Sequence, residues 1–222
     1  MRRQLNKITG NRVLRGSVFA FVFVLIFSSL FFSCSKEDNT IPSYRTDLLC
    51  AAVDGDSLVT RLLLDDGQTL KVTQRIKAPE PNSTLRCYSS YAVSDDGTIA
   101  TVYEIRRITC FAPSPADSCT IHDQSPLKVQ SVWKSGSYVN LSLAPLVNQD
   151  GEYKYDLRLD SVVSRTMYVS FLFQRDSSSL EAYTQKFYHS IPLQQSLYSQ
   201  PFDSLILSIN TYDGMKSYAF RR

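Results

Sequence analysis

The residue with the most specific chemistry is Cys34, a thiol at the end of an apolar N-terminal segment. Residues 1–33 contain five basic residues and no acidic ones, and residues 18–32 are apolar apart from two serines. This apolar run is shorter than the roughly 20 residues that a membrane-spanning helix needs. The order of charge and hydrophobicity is that of a secretory signal peptide. We therefore expect cleavage before Cys34 and acylation of its thiol; the alternatives are a retained anchor helix and a free thiol.

The residues around Cys34 indicate where the protein is delivered. Ser33-Cys34 looks like a bacterial lipobox, and Ser35, Lys36, Glu37 and Asp38 resemble the surface-export signal of Bacteroidota lipoproteins. Several acyl chains, such as palmitate, give lasting attachment where one chain is marginal. The prediction is an outer-membrane lipoprotein at the cell surface that contacts the membrane through its N-terminal lipid. A solvated linker is the alternative interpretation of the charged cluster.

Charge and composition exclude a nucleic-acid partner and indicate a β-rich protein. Without residues 1–33, the chain has 19 basic and 21 acidic residues, so the excess of positive charge belongs to the leader. A net basic surface, the usual sign of nucleic-acid binding, is therefore missing. The chain contains 13 tyrosines and one tryptophan, and tyrosine is enriched in strands.

Short alternating segments and Asp-Gly turns predict an all-β fold in two parts. Residues 34–46 form a lipidated tether, and residues 47–111 hold about five strands that we expect to close into a small β-barrel. The Pro-rich residues 112–126 are interpreted as a linker. Residues 127–222 predict an antiparallel β-sandwich. In its first strand, Leu127, Val129 and Trp133 are expected to face the same way.

The four remaining cysteines are candidates for disulfides, because export leads to a compartment where disulfides persist. Cys110 with Cys119 would close the Pro-rich loop, and Cys50 with Cys87 would tie two strands of the first domain. Three pairings are possible in all. Buried free thiols are the alternative.

The sequence contains no group of residues that specifies a reaction. His122 near Cys119 and Asp123 lacks the further ligands of a zinc site, and His189 is expected to be a satisfied, half-buried histidine. The pairs Asp65-Asp66 and Asp95-Asp96 precede glycines, so turn chemistry explains them. We therefore predict a protein that is not an enzyme and uses no metal or other cofactor.

Three stretches in this order resemble the NigD-like lipoproteins of Bacteroidota. They are residues 62–70 (LLLDDGQTL), residues 85–91 (LRCYSSY), and residues 125–133 (SPLKVQSVW) followed by 136–141 (GSYVNL). The resemblance implies an N-terminal OB-like barrel and a C-terminal β-sandwich. It implies little chemistry, although the family name comes from an operon linked to a bacteriocin.

One face of an OB-like barrel often binds oligonucleotides or oligosaccharides. The candidate ligand face here carries Tyr88, Tyr103, Arg86 and Arg106. Ordinary barrel packing with solvated arginines is the alternative. Fold alone does not establish binding.

The expected function is a non-catalytic interaction module for an envelope or extracellular glycan, peptide or protein. One alternative is a bacteriocin-associated accessory or immunity lipoprotein. A surface carbohydrate hydrolase is another, and it would need two carboxylates facing each other in a groove.

Overall fold

The structure is a computed structural model that describes residues 43–121, 124–148, 152–175 and 183–222. The predicted signal peptide, Cys34, the export residues Ser35, Lys36, Glu37 and Asp38, and His122 lie outside this part. Among the described residues, no helix has the length and hydrophobicity to cross a membrane.

The N-terminal part is a closed five-stranded barrel, as the sequence predicts. Its strands are β1 (Ser43–Val53), β2 (Val59–Leu63), β3 (Thr69–Val72), β4 (Thr84–Val93) and β5 (Ile99–Arg107). They hydrogen-bond in the order β1-β2-β3-β5-β4, and β4 returns to β1. The predicted tether is shorter than expected, because β1 begins at Ser43.

Tight turns and a fully buried interior hold the barrel together. Gly67 and Gly97 end the two Asp-Asp-Gly turns at φ +94° and +72°, a conformation that glycine adopts without a steric penalty. The core contains side chains from every strand. Among them are Leu49, Leu62, Leu70, Tyr91 and Ala100, all completely buried.

The C-terminal part is a two-sheet sandwich. Its strands are β6 (Thr109–Cys110), β7 (Ser114–Pro115), β8 (Lys128–Ser135), β9 (Tyr138–Ala144), β10 (Leu146–Val147), β11 (Tyr153–Val163), β12 (Thr166–Arg175), β13 (Tyr183–Thr184), β14 (Phe187–Pro192), β15 (Ser204–Thr211) and β16 (Gly214–Arg221). One sheet has the order β16-β15-β12-β11-β7, the other β6-β14-β9-β8, and β10 pairs with β13. Two 3-10 turns span Ala116–Ser118 and Gln195–Leu197.

Alternating side chains of the two sheets form one apolar core. Along β15 every second residue is buried, and the core joins Leu207 of this strand to Phe171 of β12 and Leu141 of β9. The predicted all-β class is confirmed, but the sandwich is not purely antiparallel. Strand β12 pairs with β15 in parallel, because the chain crosses to β14 in the other sheet before it returns.

The end of the predicted barrel and the start of the predicted linker are both built into the sandwich. Strand β6, within the predicted barrel range 47–111, pairs in parallel with β14. Strand β7, within the predicted linker 112–126, pairs in parallel with β11. Ile121 is 4% exposed. The chain therefore leaves the barrel directly into the sandwich instead of through a free connection.

Candidate functional site at the cleft between barrel and sandwich

A buried arginine links the barrel to the sandwich. Arg86 lies on β4 opposite Cys50 of β1 and is 5% exposed. Its Nη1 and Nη2 donate to the two carboxylate oxygens of Asp65 at 2.5 and 2.7 Å. Burial disfavours the charged guanidinium, but the hydrogen bonds and charge of Asp65, with a smaller contribution from Cys50, hold the pKa of Arg86 above its ordinary value.

The role of Asp65 goes beyond the turn that the sequence predicts for it. Asp66 supplies the turn chemistry, since its Oδ1 accepts a hydrogen bond from the backbone nitrogen of Gln68 at 2.8 Å. Asp65 is free to reach Arg86, and its backbone carbonyl packs against Gly136 of the sandwich. A Cβ at Gly136 would lie 2.5 Å from that oxygen. Sequence reasoning treats both aspartates as turn residues and misses this contact.

The sandwich completes the arginine's surroundings. The Nη2 of Arg86 donates to Oδ1 of Asn140 at 3.0 Å, and its Nε donates to Oγ of Ser190 at 3.2 Å. The guanidinium carbon lies 3.9 Å from the ring centre of Tyr138, a cation–π distance. Charge pairing, hydrogen bonds and ring contact from both parts of the chain therefore satisfy one buried cation.

The side-chain amide of Asn140 has hydrogen-bond partners for its oxygen but not for its nitrogen. Its Oδ1 accepts from Arg86 and from Oγ of Ser190, the latter at 2.7 Å, and these bonds fix which end of the amide is oxygen. Among the described residues its Nδ2 has no hydrogen-bond partner, although Asn140 is completely buried. A buried donor left unpaired costs about 1–3 kcal/mol, so this nitrogen lacks the acceptor that would satisfy it.

The stretches that carry the family resemblance meet at this cluster. The first supplies Asp65, the second Arg86, and the third Tyr138 and Asn140. Gly136 also belongs to the third. Residues far apart in the chain thus build one polar centre between the barrel and the sandwich.

A cleft of about 380 Å³ opens beside the cluster, within the size range of ligand sites. It lies between the outer surface of the barrel and the outer face of the sheet that contains β8, β9 and β14. Its lining residues are Thr46, Asp47, Leu48, Asp65, Tyr88, Ser131, Trp133, Ser135, Asn140, Ser142, Lys186 and Tyr188. A second hollow of about 430 Å³, lined in part by the same residues, extends it past Arg45 and Leu64.

A β-bulge places Trp133 in the cleft. The register of β8 against β9 shifts between Val129 and Ser131, so Val129 and Val132 both pack on the sandwich core. Trp133 therefore points to the opposite face, and the predicted shared face with Val129 is wrong. A bulge adds one residue and reverses the alternation beyond it.

An aromatic column forms one end of the cleft. The rings of Tyr88 and Tyr188 stack with centroids 5.1 Å apart and planes inclined by 20°. Arg106 lies 5.0 Å from the centre of the Tyr88 ring, and the Lys186 nitrogen lies 4.8 Å from that of Tyr188. Each ring therefore already contacts a cation, and the column joins the barrel to the sandwich.

The four residues of the predicted ligand face lie at three separate places in the structure. Tyr88 and Arg106 belong to the aromatic column at the cleft. Arg86 is buried in the cluster behind it and is not a solvated exterior residue. Tyr103 lies elsewhere on the barrel, where its ring meets that of Tyr44 at 5.8 Å, because β5 has a register shift next to it.

All four described cysteines are free thiols, which corrects the predicted disulfides. Leu49 pairs with Cys87 and Cys50 pairs with Arg86, so the side chains of Cys50 and Cys87 point to opposite faces of the barrel wall. Cys87 enters the barrel core, and Cys50 contacts Oη of Tyr138 at 3.4 Å. Cys110 lies in β6, which pairs with β14 in one sheet, whereas Cys119 follows the 3-10 turn after β7, which pairs with β11 in the other sheet.

His189 is more buried and less satisfied than the sequence suggests. It is 3% exposed, and among the described residues neither ring nitrogen has a hydrogen-bond partner. Its ring contacts those of Phe111, Tyr155 and Phe171 at centroid distances of 4.7 to 5.6 Å. Burial lowers the pKa of His189 to about 4, so the imidazole is neutral at physiological pH.

Two carboxylates line the cleft, and both are engaged. Both carboxylate oxygens of Asp65 accept hydrogen bonds from Arg86. Oδ2 of Asp47 accepts a hydrogen bond from the hydroxyl of Tyr91 at 2.7 Å. Within the described ranges, no three His, Cys, Asp or Glu side chains come together as a candidate metal site.

Several solved structures have a fold similar to that of this chain. A NigD-like immunity protein from Bacteroides caccae matches with TM-score 0.63 and 23% identity over 81% of this chain and 92% of that chain. The chain has the fold of a NigD-like protein. The resemblance predicted from the sequence is thereby confirmed at the level of the fold.

Two further structures share the NigD-like fold. A protein from Parabacteroides distasonis described as toxin related matches with TM-score 0.66 and 16% identity, over 81% of this chain and 93% of that one. A Bacteroides fragilis protein described as a lipoprotein matches with TM-score 0.58 and 11% identity, over 81% and 98%. No protein-family model and no curated protein matches the sequence.

Proposed function

We propose that this protein is an envelope lipoprotein that acts as a non-catalytic binding module, with the cleft between barrel and sandwich as its binding site. The observation that carries the proposal is the unpaired, buried Nδ2 of Asn140 beside a cleft that Trp133 also lines. A buried donor and an aromatic ring in one concave surface are typical of ligand sites.

The anchor is Cys34, acylated after removal of residues 1–33. Cys34 lies nine residues before the first residue of β1. Nine residues of fully extended chain reach at most about 30 Å. The barrel then stays close to the membrane, and the cleft faces whatever the lipid-anchored protein meets there. We place the protein in the outer membrane and, through Ser35, Lys36, Glu37 and Asp38, at the cell surface.

The state of the cleft carboxylates favours binding over hydrolysis. A glycoside hydrolase needs one carboxyl group to protonate the leaving group and a second to act as base or nucleophile. Asp65 is held by Arg86 through both oxygens, and Asp47 accepts from Tyr91. Asp65 is therefore not free to take part in that chemistry, and Asp47 lacks a second free carboxylate among the residues that line the 380 Å³ cleft.

A bacteriocin-associated accessory or immunity role is a second candidate. It is supported by two of the similar structures, one a NigD-like immunity protein and the other described as toxin related. Deleting the protein should then sensitise the cell to its own inhibitor, and unchanged resistance would end this proposal.

Blocking the cleft tests the binding role. Full-length protein is immobilised beside the variants Ser131→Arg, at the cleft wall, and Ser217→Arg, at an exposed position of β16. Each is exposed to solubilised envelopes and culture medium, and retained glycan, peptide and protein are measured separately. We expect material retained by wild type and Ser217→Arg but lost with Ser131→Arg; equal retention by all three contradicts the proposal.

A further inference from the structure

We infer that the ligand of the cleft is an uncharged oligosaccharide segment, which lies on Trp133 and accepts a hydrogen bond from Nδ2 of Asn140. This inference rests on the proposed binding role of the cleft and names the class of ligand. It is carried by the kind of side chains that line the cleft, by their charge and by the geometry of Asn140.

Hydroxyl groups and small polar side chains dominate the wall. Thr46, Ser131, Ser135 and Ser142 all line the cleft. Oγ of Ser142 already donates to Oε1 of Gln130 at 3.1 Å, and Oγ1 of Thr46 shares a hydrogen bond with Oγ of Ser90, but a hydroxyl can donate one hydrogen bond and accept two. Sugar hydroxyl groups have the same dual character. A wall that both donates and accepts therefore suits a polyhydroxylated ligand.

The charges at the cleft leave no excess of either sign. Asp65 is neutralised by its ion pair with Arg86. Of the remaining lining residues, Asp47 carries one negative charge and Lys186 one positive charge. An anionic glycan or a nucleic acid would need an excess of positive charge at this surface, so the balance favours an uncharged ligand.

The position of Asn140 supplies a fixed donor. Its Oδ1 is held by Arg86 and Ser190 at 3.0 and 2.7 Å, and this leaves Nδ2 on the opposite side of a rigid amide. The residue lines the cleft, and the nitrogen is unpaired among the described residues. The nitrogen itself has almost no accessible surface, so a ligand oxygen reaches it when a side chain of the cleft wall moves aside, and it then gives the nitrogen its missing partner.

Trp133 supplies an apolar platform. Tyr88 and Tyr188 stack on each other and each contacts a cation, whereas Trp133 is outside that column. The C–H face of a pyranose packs well on an aromatic ring. Strand β8, which carries Trp133, is an edge strand of its sheet, so an extended peptide is the competing ligand class that the titration must include.

The fluorescence of Trp133 can report ligand binding directly, because Trp133 is the only tryptophan in the sequence. Full-length protein in a detergent without a sugar headgroup is titrated with uncharged α- and β-linked hexasaccharides of glucose, mannose, xylose and galactose. Oligogalacturonate and an uncharged hexapeptide serve as the other ligand classes. Trp133 fluorescence is recorded for wild type, Asn140→Asp, Ser131→Arg and Ser217→Arg.

We expect saturable fluorescence changes with at least one uncharged hexasaccharide, weakened at least 10-fold in Asn140→Asp and abolished in Ser131→Arg. Asn140→Asp keeps an oxygen for Arg86 and Ser190 but replaces the donor nitrogen. Ser217→Arg should bind like wild type. Binding of only the peptide or oligogalacturonate overturns the saccharide inference and leaves the binding role standing. If none of the uncharged hexasaccharides binds, the inference is also overturned, and the retention experiment decides the binding role separately.

Discussion

Arg86 of the barrel and Asp65 of the β2–β3 turn form a two-point ion pair with distances of 2.5 and 2.7 Å, and the sandwich covers it. Both side chains are nearly buried, at 3% and 9% exposure. Breaking a buried pair by removing one partner leaves an uncompensated charge, which costs more than the net value of the pair. The same pair positions Asn140, so it connects stability to the cleft.

Asp65→Asn should lower the free energy of unfolding by about 3–5 kcal/mol, because it leaves Arg86 buried without a counter-charge. Urea unfolding followed by circular dichroism measures the effect. The matched control is Asp66→Asn, at the adjacent exposed position, which should change stability by less than about 0.5 kcal/mol. Equal effects of the two variants would contradict a structural role for the ion pair.

Gly136→Ala should destabilise the protein more than Gly97→Ala. Both glycines have positive φ, +51° and +72°, so each alanine pays roughly 1–2 kcal/mol for that conformation. At Gly136 the new Cβ also lies 2.5 Å from the Asp65 carbonyl oxygen, whereas nothing lies within 4 Å at Gly97. Thermal unfolding of the two variants compares them, and a similar loss in both would show that the barrel–sandwich contact is not tight.

His189 should make the protein less stable in mild acid. Burial lowers its pKa from 6.5 to about 4, so the unfolded chain binds a proton below pH about 6.5 while the folded protein stays neutral. The free energy of unfolding is therefore at its full value above pH about 6.5. It falls as the pH drops from there towards 4, by about 3 kcal/mol in total.

His189→Phe should remove this part of the pH dependence, because phenylalanine cannot take up a proton and fits an aromatic environment. Urea unfolding at a series of pH values from 7 to 4 measures it. His122→Gln is the control for the other histidine and should keep the wild-type profile. An unchanged slope in His189→Phe would show that another group causes the acid sensitivity.

Thiol labelling should find Cys50 and Cys87 protected in the folded protein and reactive only after denaturation. Burial raises the pKa of Cys87 to about 11, and the thiolate is the reactive form. Burial also raises the pKa of the Cys110 thiol to about 11, so the expected contrast rests on access. Cys110 is exposed and should react first, and Cys110→Ser should remove that fast phase. A Cys50–Cys87 cross-linked peptide in a non-reducing digest would contradict the register of β1 and β4.

Replacing Lys36, Glu37 and Asp38 by alanine should protect the protein from protease added to intact cells, while wild type is cleaved. The reason is that the charged cluster after Cys34 is predicted to direct surface export. Cys34→Ser is expected to release the chain from membrane fractions. Protection of both the wild type and the triple variant would mean that the protein faces the periplasm.

Local sequence patterns were enough to predict the all-β class and the two-part organisation. Alternation of apolar residues predicts strands, and Asp-Asp-Gly predicts the turns that Gly67 and Gly97 complete. These signals arise within a few residues, so no tertiary contact is needed to read them. The order of the three resemblance stretches also led to the correct fold.

The site depended on contacts that no local pattern contains. Alternation shows which residues share a face of a strand, but not whether another part of the chain covers that face. Arg86 is therefore predicted to lie on a ligand face or, as the alternative, to be a solvated exterior residue, although the sandwich buries it. Asp65 is predicted as a turn residue although it pairs with Arg86.

The sequence by itself determined the strands and the tight turns, because short-range hydrophobicity and backbone preferences specify them. The leader and the lipid site at Cys34 are predictions from the same kind of local pattern. Only the tertiary structure decided the cleft. A single-residue bulge in β8 turned Trp133 away from the core, and the packing of the barrel on the sandwich brought it beside Asn140. A one-residue shift reverses every following side chain, and only the pairing of β8 with β9 selects that shift.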